Sequence, residues 1–172
     1  MKFVFRNIIF IAILSFVSTV VSGQVARQSY YDSTATMPPF RFYLPDGTLF
    51  TPGNLNKDHK TVMIYFKNEC PYCEDQAEII SKNIIDFNAV DFIFITKEDT
   101  SAIRSFSARY KLENNDRVKF LQDKERLYYR YYIAHSTPSI HIYDNNKRLI
   151  IFKEGVLGRE ELLKYIQNIP QQ

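Results

Sequence analysis

Two segments of the chain are apolar or aromatic at nearly every position, and they are its strongest strand signals. They are Thr61 to Phe66, "TVMIYF", and Asp91 to Thr96, "DFIFIT". Strands of this kind are typical of the middle of a sheet that is covered on two sides. Between them, apolar side chains recur at steps of four and three residues, at Cys73, Ala77, Ile80, Ile84 and Phe87. This spacing predicts an amphipathic helix whose apolar stripe faces the sheet.

A short hairpin is predicted ahead of this β-α-β unit. Large apolar side chains alternate with other residues from Phe40 to Leu44, a turn follows at Pro45-Asp46-Gly47, and Leu49-Phe50 continues the pattern. Alternation on both sides of a Pro-Asp-Gly turn favours two paired strands.

The second half of the chain predicts further helices and strands. Asp99 and Thr100 can cap a helix with Ile103, Phe106 and Tyr110 on one face. After it come a short strand from Val118 to Leu121, a short amphipathic helix from Arg126 to Ile133, two strands at Ser139 to Tyr143 and Leu149 to Phe152, and a last helix carrying Leu162, Leu163, Ile166 and Ile169. The predicted fold class is α/β, with a mixed central sheet flanked by helices and an extra N-terminal β-hairpin.

Residues 1–23 have the pattern of a secretory signal peptide. Lys2 and Arg6 precede an apolar run from Ile8 to Val21, which is shorter than the roughly 20 residues of a membrane span. The run ends at Val21-Ser22-Gly23, and we place cleavage after Gly23. The alternative is an uncleaved segment that anchors the protein to the membrane. In both cases the folded part is expected outside the cytoplasm, with the periplasm as the expected compartment.

The remaining residues and their charge predict a single domain without a nucleic-acid surface. Residues 24–37 are polar and aperiodic, which predicts a flexible leader, and residues 38–172 are long enough for one folded domain. The formal charge of +3 falls to +1 without Lys2 and Arg6, and the two signs are interspersed. Tyrosines from Tyr128 to Tyr132 could stack on bases, but we interpret them as covering the core from one helix face. A monomer is expected.

The chain has only two cysteines, Cys70 and Cys73, separated by two residues. Such a pair can be a redox centre, half of a metal site or a structural disulfide. A loop this short constrains the unfolded chain very little, so stability explains the pair poorly. Zinc sites need four ligands and favour Cys with His, and the three histidines His59, His135 and His141 show no ligand spacing. We therefore expect no metal and no cofactor, and favour a redox pair.

The predicted position of the pair suggests a different role for each cysteine. Cys70 would lie at the N-terminal end of a helix, where the helix dipole and unpaired N–H groups favour the thiolate, so it is the candidate nucleophile. Pro71 suits the first helical turn and keeps it rigid. Cys73 lies one turn further on, on the buried face, where its sulfur can resolve a mixed disulfide on Cys70. In this interpretation Cys70 is at the exposed start of the helix.

Several charged residues around Cys70 are expected to tune its reactivity. Glu69, Glu74 and Asp75 place negative charge beside it, and only Lys67 opposes them in the local sequence. Nearby carboxylates raise the pKa of a thiol. The sequence therefore predicts a moderately activated thiol, in a pair that is not a strong oxidant.

A second candidate site is Thr137-Pro138, at the entrance of a predicted strand. Proline there indicates an edge or a constrained, even cis, peptide bond. Together with the cysteine pair, this chain resembles the thioredoxin superfamily, and within it the TlpA-like branch of extracytoplasmic thiol-disulfide oxidoreductases, over nearly all of Pro38 to Ile169. The resemblance implies a thioredoxin-like fold in which a cis-proline packs against the active-site disulfide. It also implies that Thr137 and Pro138 bind the substrate polypeptide.

The chain also departs from its apparent relatives near the cysteines. Members of that family often have tryptophan directly before the first cysteine, where this chain has Glu69 and no tryptophan elsewhere. The Pro71-Tyr72 pair is similar to that of glutaredoxins, but their double glycine is absent. A peroxiredoxin would have Thr or Ser at the position of Lys67. We therefore expect Glu69, Pro71, Tyr72 and Lys67 to tune a site with its own partners, without glutathione binding or peroxidase activity.

These inferences predict an extracytoplasmic thiol-disulfide oxidoreductase that acts through Cys70-Pro71-Tyr72-Cys73 in a reductive or isomerising direction. Its expected partners are extracytoplasmic proteins with thiols or disulfides, and a membrane or periplasmic redox donor would recycle it. The alternative is a non-catalytic thioredoxin-like interaction module whose disulfide is passive.

Overall fold

A seven-stranded mixed sheet forms the centre of the computed structural model, which describes residues 35–132 and 134–167. The strands are β1 (Phe42–Tyr43), β2 (Leu49–Phe50), β3 (Lys60–Tyr65), β4 (Val90–Thr96), β5 (Val118–Gln122), β6 (Ser139–Tyr143) and β7 (Leu149–Glu154). The helices are α1 (Pro71–Lys82), α2 (Thr100–Arg109), α3 (Leu127–Tyr131) and α4 (Arg159–Ile166). The predicted signal peptide, residues 24–34 of the predicted leader, Ile133 and Ile169 lie outside the described residues.

The two strands with the clearest sequence pattern lie side by side in the sheet. The strand order is β2-β1-β5-β4-β3-β6-β7, so β3 and β4 are both internal. Strands β3, β4 and β5 are parallel to one another, whereas β6 is antiparallel to β3 and β7 is antiparallel to β6. The predicted mixed sheet is therefore confirmed. Because β3, β4 and β5 run in the same direction, their carboxyl ends meet at one edge.

The predicted N-terminal hairpin is present and extends the sheet. Phe42 pairs with Phe50 across its two antiparallel strands, and β1 continues the sheet beyond β5 through the Tyr43–Gln122 pair. Phe40 stacks on Phe42 with ring centroids 4.7 Å apart. Thr36 bridges to Arg148, so the backbone already pairs with the sheet within the predicted leader.

Helices α1, α2 and α4 contribute to one hydrophobic cluster on the first face of the sheet. Alternate residues along β3, such as Val62 and Ile64, belong to this cluster. Phe66, which directly follows the strand, belongs to it too. Phe66 packs on Phe106 of α2 with ring centroids 4.4 Å apart, and both side chains are fully buried. Burying an aromatic side chain of this size stabilises the fold by about 2 to 3 kcal/mol. Cys73 belongs to this cluster, which anchors α1 to the sheet.

Helix α1 ends earlier than its apolar spacing predicts. The predicted stripe continued through Ile84 and Phe87, but the helix stops at Lys82 and Ile84–Asp86 form a 3₁₀ turn. Asn83 departs from helical backbone angles, with φ −119° and ψ 18°. The Arg117 guanidinium donates to the carbonyl oxygens of Ile84 and Phe87, which stabilises the 3₁₀ turn and the residue that follows it. Phe87 is still buried, so the pattern identified the core residue but not the helix end.

Helix α3 covers the second face of the sheet, and the interpretation that the tyrosines cover the core is confirmed for Tyr128 and Tyr132 only. Tyr128 and Tyr132 are buried, while Tyr129 and Tyr131 are exposed. Tyr128 stacks on Tyr65 of β3 with ring centroids 4.7 Å apart.

Within the described residues, no helix is both long enough and apolar enough to cross a membrane.

Candidate active site

The candidate site lies at the carboxyl end of β3, where a five-residue loop, residues 66–70, leads into α1. The loop is fixed at two points, because Phe66 donates its N–H to the carbonyl oxygen of Ile95 at 2.9 Å and Asn68 donates its N–H to Glu98 Oε2 at 2.8 Å. Cys70 is the N-cap of α1, and Pro71 occupies the first turn as predicted. The Cys73 N–H donates to the sulfur of Cys70 at 3.3 Å. Cys70 therefore receives a hydrogen bond from the N-terminus of the helix.

The two cysteines form a disulfide, with Cα atoms 5.2 Å apart. Cys73 is fully buried in the cluster between α1 and the sheet. Cys70 is 7% exposed, so the prediction of an exposed start of the helix is wrong for this side chain. The physical reason is that Thr137 and the cysteine disulfide cover it. A small accessible surface remains on Cys70 and none on Cys73.

Thr137 lies against the disulfide, and Pro138 follows it in the same loop. The Thr137–Pro138 peptide bond is cis. The Cys70 sulfur is 3.6 Å from the carbonyl oxygen and 3.6 Å from the hydroxyl oxygen of Thr137. Pro138 is held from the other side, because its carbonyl oxygen accepts the N–H of Gly155 at 2.8 Å. Residues about 65 positions apart in the sequence thus meet at one sulfur.

The loop before Thr137 is held by one carboxylate of β7. Glu154 Oε1 accepts the N–H groups of His135 at 2.7 Å and of Ser136 at 3.0 Å. Two backbone donors on one carboxylate oxygen fix the direction of the loop. Thr137 is therefore presented to Cys70 by a rigid segment.

The four predicted tuning residues surround the disulfide without covering it. Glu69, Pro71 and Lys67 are exposed, and Tyr72 is 66% exposed. Glu74 differs from the expectation, because its carboxylate forms an ion pair with Arg109 of α2 at 3.2 Å. The sequence interpretation that only Lys67 opposes the local acids is therefore wrong. Arg109 follows 35 residues after Glu74 and comes close only through the packing of α2 against α1.

Polar side chains on the second face of the sheet support the strand that carries Pro138. Tyr65 pairs with Ser139 across β3 and β6, directly after Pro138. Burial, and then the charge of Asp123, raises the pKa of Tyr65 to about 12, so the phenol stays neutral. Asp123 accepts the N–H groups of Leu127 and Tyr128 at 2.8 and 2.9 Å. Burial raises the pKa of the Asp123 carboxyl, and these hydrogen bonds oppose the shift.

His141 is the most deeply buried histidine of the described residues, at 2% exposure. Its Nδ1 atom shares a 2.8 Å hydrogen bond with the hydroxyl of Tyr128. Burial lowers the pKa of His141 to about 3, because the charged imidazolium would lose its hydration and no carboxylate compensates for that loss. By sequence reasoning, His141 was considered only as a possible zinc ligand, and no other role was predicted for it. Across the described residues, no group of three His, Cys, Asp or Glu side chains could hold a metal ion.

Two cations near the site were missed by sequence reasoning. Lys97 and Arg126 line a cavity with Lys67 and Thr137. Lys97 directly follows β4, and Arg126 follows β5 by four residues. A signal for them exists, because residues that follow neighbouring parallel strands converge at the carboxyl edge of the sheet. The strands were predicted, but their order in the sheet was not.

Comparisons with known proteins agree at the level of the fold. No protein-family model matches the sequence, and no curated protein matches it by sequence. Among solved structures, a secreted Mycobacterium tuberculosis disulfide oxidoreductase homologous to E. coli DsbE is similar, with a TM-score of 0.63 and 21% identity over 76% of this chain and 96% of that one.

Two further solved structures have the same likeness. StoA from Bacillus subtilis has a TM-score of 0.59 and 16% identity, over 74% of this chain and 96% of that one. A thiol:disulfide interchange protein of the thioredoxin family from Chlorobium tepidum has a TM-score of 0.64 and 14% identity, over 78% of this chain and 95% of that one. The predicted fold class is confirmed, and the chain has a thioredoxin-like fold.

Proposed function

We propose that this chain is an extracytoplasmic thiol-disulfide oxidoreductase that exchanges disulfides with protein partners through Cys70 and Cys73. The observation that carries the proposal is the set of contacts made by the Cys70 sulfur. Cys70 accepts a hydrogen bond from the start of α1, is bonded to Cys73, and contacts Thr137 on the side that a partner would approach. Helix N-termini stabilise thiolates, which are the attacking species in disulfide exchange.

The reductive reaction takes two exchange steps. The Cys70 thiolate attacks one sulfur of the partner's disulfide, so a Cys70–partner S–S bond forms and the partner's second sulfur leaves as a thiolate that takes up a proton. The Cys73 thiol, after losing its proton, then attacks the Cys70 sulfur. The Cys70–Cys73 disulfide forms, and the partner's first sulfur leaves as a thiolate that also takes up a proton. The partner gains two electrons and two protons, and the protein's dithiol loses them.

Partner binding is assigned to Thr137 and Pro138. The carbonyl oxygen and hydroxyl of Thr137 lie beside the sulfur that reacts, and the half-buried Thr137 retains some accessible surface. A backbone that approaches Cys70 would pass along this residue and could donate to its carbonyl oxygen. Lys67, Glu69, Pro71 and Tyr72 form the surroundings that such a partner meets.

The compartment and the recycling partner are part of the same proposal. The N-terminal sequence has the features of a secretory signal, and one similar structure is described as a secreted disulfide oxidoreductase. Disulfides persist outside the cytoplasm. The oxidised pair must then be reduced by a dithiol protein of the membrane or the periplasm. We propose that the protein acts as a monomer on extracytoplasmic proteins and not on nucleic acids.

The test is a single turnover with a peptide that contains one internal disulfide. Fully reduced protein is mixed with the oxidised peptide, thiols are blocked at set times, and both species are counted by mass. We expect one equivalent of peptide to be reduced for each Cys70–Cys73 disulfide formed. A passive interaction module would leave the peptide oxidised at the rate of the uncatalysed mixture.

The direction of transfer is tested by equilibration with glutathione buffers. A reductive or isomerising protein is expected to have a reduction potential at or below about −180 mV, the value of protein disulfide isomerase. The reason is that the carboxylates of Glu69 and Asp75, beside the start of α1, disfavour the Cys70 thiolate and so limit the stabilisation that Lys67, Lys97 and Arg126 provide from the Thr137 side. A potential near about −120 mV, as in the strong oxidant DsbA, would contradict the proposed direction.

A further inference from the structure

A cavity of about 280 Å³ opens beside Thr137, and we call it the basic cavity. It is lined by Lys67, Lys97, Arg126, Tyr129 and the segment 134–137, with Tyr65 at its base. Thr137 is the wall that it shares with the disulfide, because the Cys70 sulfur lies 3.6 Å from the Thr137 carbonyl oxygen. Whatever occupies the basic cavity is therefore adjacent to the reacting sulfur.

The lining of the basic cavity is positively charged. Three cations line it and no carboxylate does. In the part of the chain that the structure describes, the side chains of Lys67, Lys97 and Arg126 form no ion pair and no hydrogen bond. Like charges brought together at a concave surface attract an anion of complementary shape. This is unusual for a chain in which charges of both signs are interspersed.

The nearby carboxylates lie outside the lining of the basic cavity and accept backbone N–H groups, so their charge weakens the field of the three cations without forming an ion pair with any of them. Glu98 accepts the N–H of Asn68, and Glu154 accepts those of His135 and Ser136. Asp123 is buried and accepts two N–H groups at the start of α3. Each acid therefore holds backbone close to the basic cavity, and among the described residues none forms an ion pair with Lys67, Lys97 or Arg126.

Arg126 is held in place by the backbone rather than by a partner. It has a left-handed conformation, with φ 55° and ψ 37°, at the N-cap of α3. A non-glycine residue in this region costs on the order of 1 kcal/mol and persists only when its surroundings fix it. The two hydrogen bonds from Leu127 and Tyr128 to Asp123 supply that restraint. Arg126 thus lines the basic cavity from a restrained backbone position.

We infer that the basic cavity selects partner polypeptides that carry an acidic side chain within a few residues of the reacting cysteine. This inference rests on the proposed disulfide exchange and deepens it by naming the chemistry of the partner. An Asp or Glu side chain would neutralise cations that the fold leaves unpaired, and Tyr129, which is 66% exposed, offers an aromatic edge at the mouth.

A second hollow sharpens the prediction, since it has the opposite charge. It lies between α1 and Gly155-Val156 and is lined by Tyr72, Asp75 and Glu78. An acidic side chain on the partner is therefore favourable on one side of its cysteine and unfavourable on the other. Only one placement of the acid should accelerate the reaction.

The test uses short peptides with a single cysteine, blocked as a mixed disulfide with neutral 2-thiopyridine. Two series carry Glu, Gln or Lys two residues before or two residues after the cysteine. Reduced protein attacks the peptide sulfur through Cys70, and thiopyridine is released as its thione, which absorbs light. In one series we expect Glu to react about tenfold faster than Gln at 0.01 M salt, with Lys slower than Gln. At 1 M salt the Glu advantage should fall below about twofold.

Charge reversal assigns the preference to the basic cavity. Lys97→Glu and Arg126→Glu should each reduce the Glu-to-Gln ratio by about three- to fivefold. The matched control is Lys57→Glu, which makes the same charge change at an exposed residue before β3, at the opposite edge of the sheet. The control should keep the wild-type ratio. Circular dichroism checks that each variant is folded.

The outcomes separate this inference from the proposed function. If the Gln peptides are not attacked at all, disulfide exchange itself is refuted. If the Gln peptides react and Glu is no faster in either series, the inference about acidic partners is overturned. It is also overturned if Lys57→Glu changes the ratio as much as Lys97→Glu, because the effect would then come from net charge.

Discussion

Replacing Cys70 with serine is expected to lower the rate of disulfide exchange by about four orders of magnitude or more, the scale seen when a catalytic nucleophile is removed. Only a sulfur at this position can form a mixed disulfide with the partner. Cys73 cannot take over, because it is fully buried in the cluster between α1 and the sheet. The measurement is the initial rate of thione release from the Gln peptide by the reduced variant.

The matched variant is Cys73→Ser, which keeps the attacking sulfur. Thione release by this variant should stay within about tenfold of wild type, because the first step does not use Cys73. A Cys70→Ser rate within tenfold of wild type would show that the sulfur at position 70 is not the nucleophile. Loss of the disulfide itself is a small perturbation, since closing such a short loop contributes about 2 kcal/mol. The free energy of unfolding of the reduced wild-type protein is the reference for the stability of both variants.

The second large effect concerns stability in acid. Below pH 6.5 an unfolded histidine takes up a proton, whereas buried His141 does so only near a pKa of about 3. The unfolded state therefore binds more protons in this range, and the stability that neutral His141 contributes is lost as the pH falls from about 6.5 to about 3. The full loss is on the order of 5 kcal/mol, and about 2 kcal/mol of it should appear by pH 5.

His141→Gln is expected to remove this dependence, even if it lowers stability at neutral pH. The measurement is the free energy of unfolding in urea at several pH values from 7 to 5. Asp123 has the opposite effect on stability. Because its carboxyl pKa is raised in the folded state, the folded state binds a proton more readily there, and this contribution to stability increases as the pH falls. The difference between wild type and variant cancels that contribution.

His135→Gln is the control for this experiment, because His135 is exposed on the loop before Thr137. It should keep the wild-type slope between pH 7 and pH 5. If His141→Gln also kept that slope, the assignment to His141 would be wrong. The ring C–H signals of His141 in wild-type protein provide a second check, and they should show a neutral imidazole at pH 5.

The sequence predicted the parts of the fold that are controlled by local pattern. The double-sided apolar runs identified β3 and β4, and the Cys73, Ala77 and Ile80 spacing identified the buried face of α1. Asp99 caps α2 as expected, with its carboxylate accepting the N–H of Ala102. Each of these features depends on residues within a few positions of one another.

Long-range packing decided what the sequence could not predict. The pairing of β1 with β5, the Arg117 contacts with the 3₁₀ turn after α1 and the ion pair between Arg109 and Glu74 all join residues at least 30 positions apart. The same holds for the burial of Cys70, because Thr137 covers it from a distant loop. Helical spacing could place Cys70 at the start of α1, but not what lies above it.

The site was partly predictable for the same reason. Thr137 and Pro138 came from a resemblance based on two motifs, and the structure places Thr137 at the disulfide and the Thr137–Pro138 peptide bond in the cis form. Lys97 and Arg126 had no motif and became neighbours of Lys67 only through the order of the parallel strands. Charged residues at strand ends are common on protein surfaces, and they indicate a binding site only when they lie close together in the fold.

The most direct test of the central claim is to isolate the mixed disulfide. Reduced Cys73→Ser protein is mixed with the blocked Gln peptide, and the product is digested without reduction and mapped by mass spectrometry. We predict one peptide per protein, attached to Cys70, and no attached peptide in the Cys70→Ser, Cys73→Ser double variant. Absence of the adduct from folded Cys73→Ser protein, or the same adduct in the double variant, would contradict the assignment of Cys70 as the attacking sulfur.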